Sequence, residues 1–340
     1  MIKKILFIRR DNIGDLICTT PAIHVAREHF PQAKICVLVN TYNADALLGN
    51  SDIDDIYVYE KAKHSSKNKI TVAFDNMRLL MKIRRERFDV AIACGSCSKR
   101  LERYTRLTGA AMRVGYSREG LKHSGYNAAV IESDGPLHEV ERTFGLLSKL
   151  GISGSPPAMK VYPSDKERKK VETFLSASGV KRPVIAFHIS SRKKDNRWSI
   201  ENFIALGNLV SKNLKASILL LWSPGSESNV YHPGDDEKAE VFTAALGAKA
   251  TAYKTKNLSE LIAALSASNL VVCCDGGAMH IAAALGKSIV TIWGSTRQDR
   301  WRPWGTRHLI LQDKSKKAGD VSVEAVFKGL QEILEEEPAV

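Results

Sequence analysis

The chain has 340 residues, 44% of them hydrophobic and 26% charged, a length and balance that suit two folded domains and exclude a disordered chain. No apolar run could span a bilayer, and the apolar residues 5–8 stop at Arg9 and Arg10, too short for a signal peptide, so a cytoplasmic protein is expected. The net charge of +13 favours an anionic partner (nucleic acid, a membrane surface, or a phosphorylated or carboxylated substrate), and is equally accounted for by solubility.

Residues 3–9 read as a buried strand, followed by a turn at Gly14 and a helix to about residue 29. Strands at 34–39 and 55–59, a helix over 70–87 and an apolar run at 88–93 continue the alternation. It predicts parallel strands with helices on both faces. A helical segment from His138 to Leu150 closes this half, and the turn-rich stretch 151–157 reads as a linker. The pattern then restarts, with strands at 183–188, 216–221, 269–274 and 288–293. Helices are expected near 165–178, 199–212, 258–266, 278–286 and 321–335. Two doubly wound halves, 1–160 and 161–340, would leave a cleft where the carboxyl ends of both sheets meet one ligand. The final helix is free to pack back on the N-terminal half.

Without a secretory signal the six cysteines should be reduced. Cys94 and Cys97 have the spacing of half a zinc site or a redox pair, but no second such pair follows. They read as small residues closing a strand turn, and no metal site is expected.

Four loops at strand ends could carry chemistry. In the first, Gly14 would allow a sharp turn and place Asp15 at a helix start, either as an N-cap or as a general base. The second is Asp275-Gly276-Gly277-Ala278-Met279-His280, where glycines and free helix-start amides suit a diphosphate, although it is not the Gly-x-Gly-x-x-Gly fingerprint. His280 could be a helix-start hydrogen-bonder or a phosphate contact. The third, Gly294-Ser295-Thr296, runs into the arginine–tryptophan stretch 297–304, read as a packed loop lining a donor pocket rather than a nucleic-acid platform. The fourth, residues 190–198 with Arg192, Lys193, Asn196 and Arg197, is either a solvated basic loop or a set of cations for a leaving nucleotide.

At these places the sequence resembles glycosyltransferase family 9, the ADP-heptose:lipopolysaccharide heptosyltransferases. The matching pieces are Ile13-Gly14-Asp15-Leu16 with Pro21, Arg197-Trp198, Asp275-Gly276-Gly277 with His280, and Gly294-Ser295-Thr296. Smaller agreements are Ser117-Arg118-Glu119 and His138 with Glu141-Arg142. The resemblance implies an α/β chain of GT-B architecture, two Rossmann-like domains facing a central cleft, with acceptor on the first and donor on the second. It also implies inverting, metal-independent transfer with Asp15 as base, and no cofactor. Many members have a lysine two residues before the tryptophan; here Asn196 stands there, and Arg197, Arg192 or Lys193 would take over its phosphate contact.

In this reading the diphosphate meets the amides of 276–280, Ser295 or Thr296, and the 192–197 cations. Asp275 would hold sugar hydroxyls or cap the helix. The acceptor, an acidic lipid-linked saccharide at the cytoplasmic face of the inner membrane, would meet Gly14, the basic loop Lys61, Lys63, Lys67 and Lys69, and Arg118. The alternatives are a family 9-like transferase using another nucleotide sugar, a nucleotide-sugar epimerase on the same frame, and a basic nucleic-acid-binding protein without turnover.

Overall fold

A computed structural model describes residues 1–61, 65, 67–118, 125–132, 135–229 and 233–335. The chain divides into two compact units, Met1–Lys160 and Val161–Val340. The first contains β1 (Lys4–Ile8), α1 (Ile13–Ile17), α2 (Thr20–His29), β2 (Lys34–Asn40), β3 (Asp55–Tyr59), α3 (Lys69–Arg85), β4 (Val90–Ala93), α4 (Lys99–Leu107), β5 (Met112–Ser117), β6 (Ala128–Ile131) and α5 (Glu139–Gly145). The second contains α6 (Asp165–Ala177), β7 (Val184–His188), α7 (Ile200–Asn213), β8 (Ser217–Leu221), α8 (Asp236–Leu246), β9 (Ala250–Ala252), α9 (Leu258–Ser266) and β10 (Leu270–Cys274). It continues with α10 (Gly277–Ala284), β11 (Ser288–Trp293), α11 (Gln298–Trp301), β12 (His308–Gln312) and α12 (Val323–Glu335).

Among the described residues each unit holds one six-stranded, all-parallel sheet, ordered β3-β2-β1-β4-β5-β6 in the first and β12-β11-β10-β7-β8-β9 in the second. Central strands such as Leu6–Phe7–Ile8 and Val271–Val272–Cys273 are buried on both faces, because helices cover both sides of a parallel sheet. Chain order reverses between β1 and β4, and again between β7 and β10. Such switch points open a crevice at the strands' carboxyl ends, and the loops of interest lie there.

Two expectations are corrected. The helix expected to run to residue 29 is two helices, since Pro21 has no amide to bond back to Ile17; the Thr20 hydroxyl takes that carbonyl instead, at 2.8 Å. Gly14 makes no sharp turn: it is a buried helical residue within α1, and the turn is completed by Asn12 as N-cap. The stripe Val326, Leu330 and Ile333 of α12 belongs to the C-terminal core with Phe203 and Val290. The 138–150 segment is α5 followed by a 3-10 turn, Leu146–Leu150. Strands β5, β6, β9 and β12 and helices α4, α8 and α11 add to the predicted set, α11 lying in the 297–304 stretch expected as a loop.

Candidate active site

The N-terminal cluster is built around Arg9, the residue after β1. Its side chain is only 2% exposed, so its charge must be compensated inside the protein. One terminal nitrogen donates to Asp15 Oδ1 and to Glu139 Oε1, each at 2.7 Å, and the other donates to the Cys94 carbonyl at 2.6 Å. Asp11 lies 3.5 Å from Nε. Glu139 opens α5, which is fixed by a reciprocal cap: the His138 ring accepts from the Val140 amide, and the Glu141 carboxylate accepts from the His138 amide. One turn on, Arg142 lies 3.5 Å from Glu139 and also grips Glu132. An alternating chain of charges, Asp15–Arg9–Glu139–Arg142–Glu132, therefore runs through the unit.

Asp15 is the third residue of α1, not its N-cap. Its Oδ2 accepts from the Asn12 amide at 3.2 Å and the Asn12 side chain at 2.9 Å. Burial pushes its carboxyl upward, but the Arg9 charge and the bonds from Asn12 and Arg9 outweigh burial, and its pKa falls below the ordinary aspartate value. Burial disfavours the Arg9 charge as well, yet Glu139, Asp15 and Asp11 raise its pKa and keep it protonated. Asp15 is thus ionised and held in place by Arg9 and Asn12. The Cys94 thiol, pushed up to about 12 by burial, is not a reactive thiolate; its residue contributes the carbonyl that seats Arg9.

The residues expected at the acceptor are arranged unequally. Lys67 is already paired, with Glu60 at 2.9 Å and Asp75 at 3.2 Å. Lys61 lies close enough to Asp11 to act on its charge, and Lys69 is exposed at the start of α3. Arg118 is 72% exposed and only loosely associated with Glu132, at 3.9 Å. Lys63 lies outside the described residues.

The C-terminal cluster joins three loops, following β7, β10 and β11. Asn196 is buried, and its side-chain amide donates to Asp275 Oδ2 at 2.7 Å and to Thr296 Oγ1 at 2.9 Å. Lys193 Nζ reaches Thr296 Oγ1 at 3.4 Å, Ser191 donates to the Asp275 carbonyl at 3.3 Å, and Ser295 donates to Asp195 at 3.4 Å. A Cβ on Gly294 would come within 2.2 Å of the Asp195 carbonyl oxygen, so only glycine lets the 192–197 loop pass this close. Burial raises the Asp275 carboxyl, against the opposing pull of Thr296, Lys193 and Asn196.

This geometry revises several roles. Asn196 ties the three loops together through its bonds to Asp275 and Thr296. Asp275 does not cap α10, whose N-cap is Gly276 with no side-chain bond. The side chains of Ala278, Met279 and His280 are buried, so the first turn can offer a ligand backbone amides rather than side chains. The His280 amide itself is directed at the Gly276 carbonyl at 3.4 Å, and its ring packs edge-on to Trp301. Arg197 turns aside to the Ser191 carbonyl and Glu227, while Arg192 is exposed and the Lys193 ammonium reaches Thr296 in the cluster. Trp198 is a core anchor, its indole N–H donating to the Val321 carbonyl.

Reading residues singly missed the roles of Arg9 and Glu139. Their signals were a charged residue directly after an apolar strand, and an acid beside His138 at a helix start.

The sequence model of Glycosyltransferase family 9 (heptosyltransferase) matches residues 76–330. Lipopolysaccharide heptosyltransferase 3 of Escherichia coli K12 is 25% identical over 311 residues, covering 87% of this chain and 84% of that protein. A glycosyl transferase family 9 structure from Veillonella parvula superposes with a TM-score of 0.83 at 20% identity, covering 98% of each chain. The Escherichia coli ADP-heptose lps heptosyltransferase II structure gives 0.79 at 19% identity, covering 99% of this chain and 100% of that one. The two parallel sheets are those of the GT-B fold, and the chain belongs to glycosyltransferase family 9, the heptosyltransferases, and is a glycosyltransferase.

Proposed function

We propose that this enzyme moves a heptose from ADP-heptose, with inversion and without a metal ion, onto an acidic lipid-linked saccharide of the lipopolysaccharide-core type. The observation that carries the reading is Asp15: a carboxylate at the β1 switch point, ionised by Arg9 and fixed by Asn12. Names of relatives that act in heptosyl transfer and a family match over residues 76–330 support the donor class. Asp15 lies before that matched segment, so its role rests on its own geometry and on the motif around it.

In the proposed step Asp15 takes the proton of an acceptor hydroxyl as that oxygen bonds to the anomeric carbon. The bond to the ADP oxygen breaks, and the electron pair leaves with the diphosphate. The amides of Gly277–Met279, the N-terminal end of α10 and the Lys193 ammonium meet that charge. This donor set supplies positive charge from the protein, which is why the reaction is expected to run without an added cation.

The test incubates the protein with ADP-heptose, with and without a lipopolysaccharide core acceptor, in excess EDTA. ADP release that depends on acceptor and survives EDTA is the expected result. Loss of donor without acceptor would indicate epimerisation. Loss of activity in EDTA, restored by magnesium, would overturn the metal-free step. Salt-steep binding to random DNA without donor affinity would favour the non-enzymatic reading.

A further inference from the structure

Helix α3 has two apolar faces, and the fold uses one. Val72, Leu79 and Ile83 turn toward the sheet, with Leu79 and Ile83 packed in the cluster that contains Leu6, Leu38 and Tyr57. On the opposite side Ile70, Phe74, Met77 and Met81 are 77%, 60%, 55% and 43% exposed. Their spacing of four, three and four residues keeps them in a single stripe about 16 Å long. A helix that serves only the core has no reason to repeat large apolar residues at helical spacing on its outer side. Scattered exposed hydrophobics are ordinary; a continuous stripe marks an interaction surface.

The charges beside the stripe identify the occupant. On α3 Lys69, Arg78, Lys82, Arg84 and Arg85 face a single acid, Asp75, and the Arg78 guanidinium lies 5.3 Å from the centre of the Phe74 ring. Helix α4 contributes Lys99, Arg100, Arg103 and Arg106 against Glu102. It packs with α3 on the same cluster, through Leu101 and Tyr104, and the Arg84 side chain reaches the Leu107 carbonyl at its end. A second copy of the chain would bring this cationic face against itself. A nucleic acid would use the cations but leave the Ile–Phe–Met stripe in water. An anionic phospholipid surface takes both, cations to headgroups and apolar side chains into the acyl boundary.

We infer that α3 is the membrane-docking element of this enzyme, lying along an acidic bilayer with Ile70, Phe74, Met77 and Met81 inserted and Arg78, Lys82 and Arg85 at the headgroups. The inference extends the lipid-linked acceptor reading to a defined surface. It is tested without donor or acceptor, so either can fail while the other stands.

The experiment is co-sedimentation of the full chain with vesicles of phosphatidylethanolamine and phosphatidylglycerol, and separately with phosphatidylcholine alone. Two variants are compared, Phe74→Ser/Met77→Ser and Arg78→Ser/Lys82→Ser/Arg85→Ser. Wild type should bind the acidic vesicles and bind the neutral ones at least about tenfold more weakly. Each variant should lose about tenfold or more of the acidic-vesicle binding. Thermal midpoints within about 2 °C of wild type would show that the loss is not unfolding, as exposed positions predict. Equal binding to neutral vesicles, or unchanged binding by the Phe74→Ser/Met77→Ser variant, would overturn the proposal. So would a wild-type dimer that the same two substitutions convert to monomer, which would assign the stripe to self-association.

Discussion

Asp15→Asn separates the structural from the chemical duty of one side chain. Asparagine is nearly isosteric and can still accept a bond from Arg9 or Asn12, but not the full set of three that the carboxylate accepts. Arg9 keeps Glu139 and the Cys94 carbonyl, so its charge stays compensated. The loss of one charge-assisted bond should cost about 1–2 kcal/mol, a fall of roughly 2–8 °C in the unfolding midpoint. An amide cannot take a proton from the acceptor, so kcat should fall by at least about 100-fold, with donor affinity unchanged. Acceptor-dependent ADP release, donor titration calorimetry and thermal unfolding measure the three effects separately. Turnover within about threefold of wild type, in a variant that binds donor normally, would refute the base assignment. The pH dependence adds a check. The folded carboxyl is depressed, so its stabilising contribution is present above the unfolded aspartate value and is lost only as pH falls through the lower folded value. The base form therefore persists throughout the neutral range, and this group should produce no acid limb near pH 6.

Other perturbations test the remaining parts. Asn196→Ala leaves a buried oxygen of Asp275 without its donor; it should destabilise the C-terminal unit by about 2–3 kcal/mol and weaken donor binding, read by urea unfolding and calorimetry. Lys193→Ala should raise the donor KM more than Arg197→Ala, because Arg197 is directed at Glu227; equal effects would place the diphosphate elsewhere. Arg118→Ala should raise the acceptor KM more than Lys67→Ser, since Lys67 already serves two carboxylates. Burial holds the His188 imidazole neutral, its pKa lowered to about 4, while the unfolded chain protonates near its ordinary value of 6.5. Stability should therefore fall as pH drops between those values, by about 2 kcal/mol from pH 7 to 5 through this group, and His188→Leu should flatten that part of the dependence in urea titrations.

Much of the site was legible because parallel α/β chains place their chemistry at strand ends, and strand ends are visible as apolar runs. Ile5 to Ile8 ending at Arg9, and Leu270 to Cys274 ending at Asp275, each pointed to the loop that follows. The edge strands were harder. Strand β9 has three residues and β6 only four, too short for a pattern to rise above its surroundings. Helix α4 was hidden by charge, with Lys99, Arg100, Glu102, Arg103 and Arg106 among its nine residues.

What the sequence alone determined was the class of fold and which candidate loops follow the strand ends, since both follow from local period and from residues adjacent in the chain. Roles inside the clusters were decided only in three dimensions. Glu139 lies 130 positions from Arg9, and Asn196 lies 79 positions from Asp275 and 100 from Thr296. Their meeting depends on which strands become neighbours at the two switch points, a property of sheet order that no local pattern records. The same holds for Asn196 as a tie between loops, and for the second apolar face of α3. Burial is set by what packs against a residue, and the sequence names the residue without naming its neighbour.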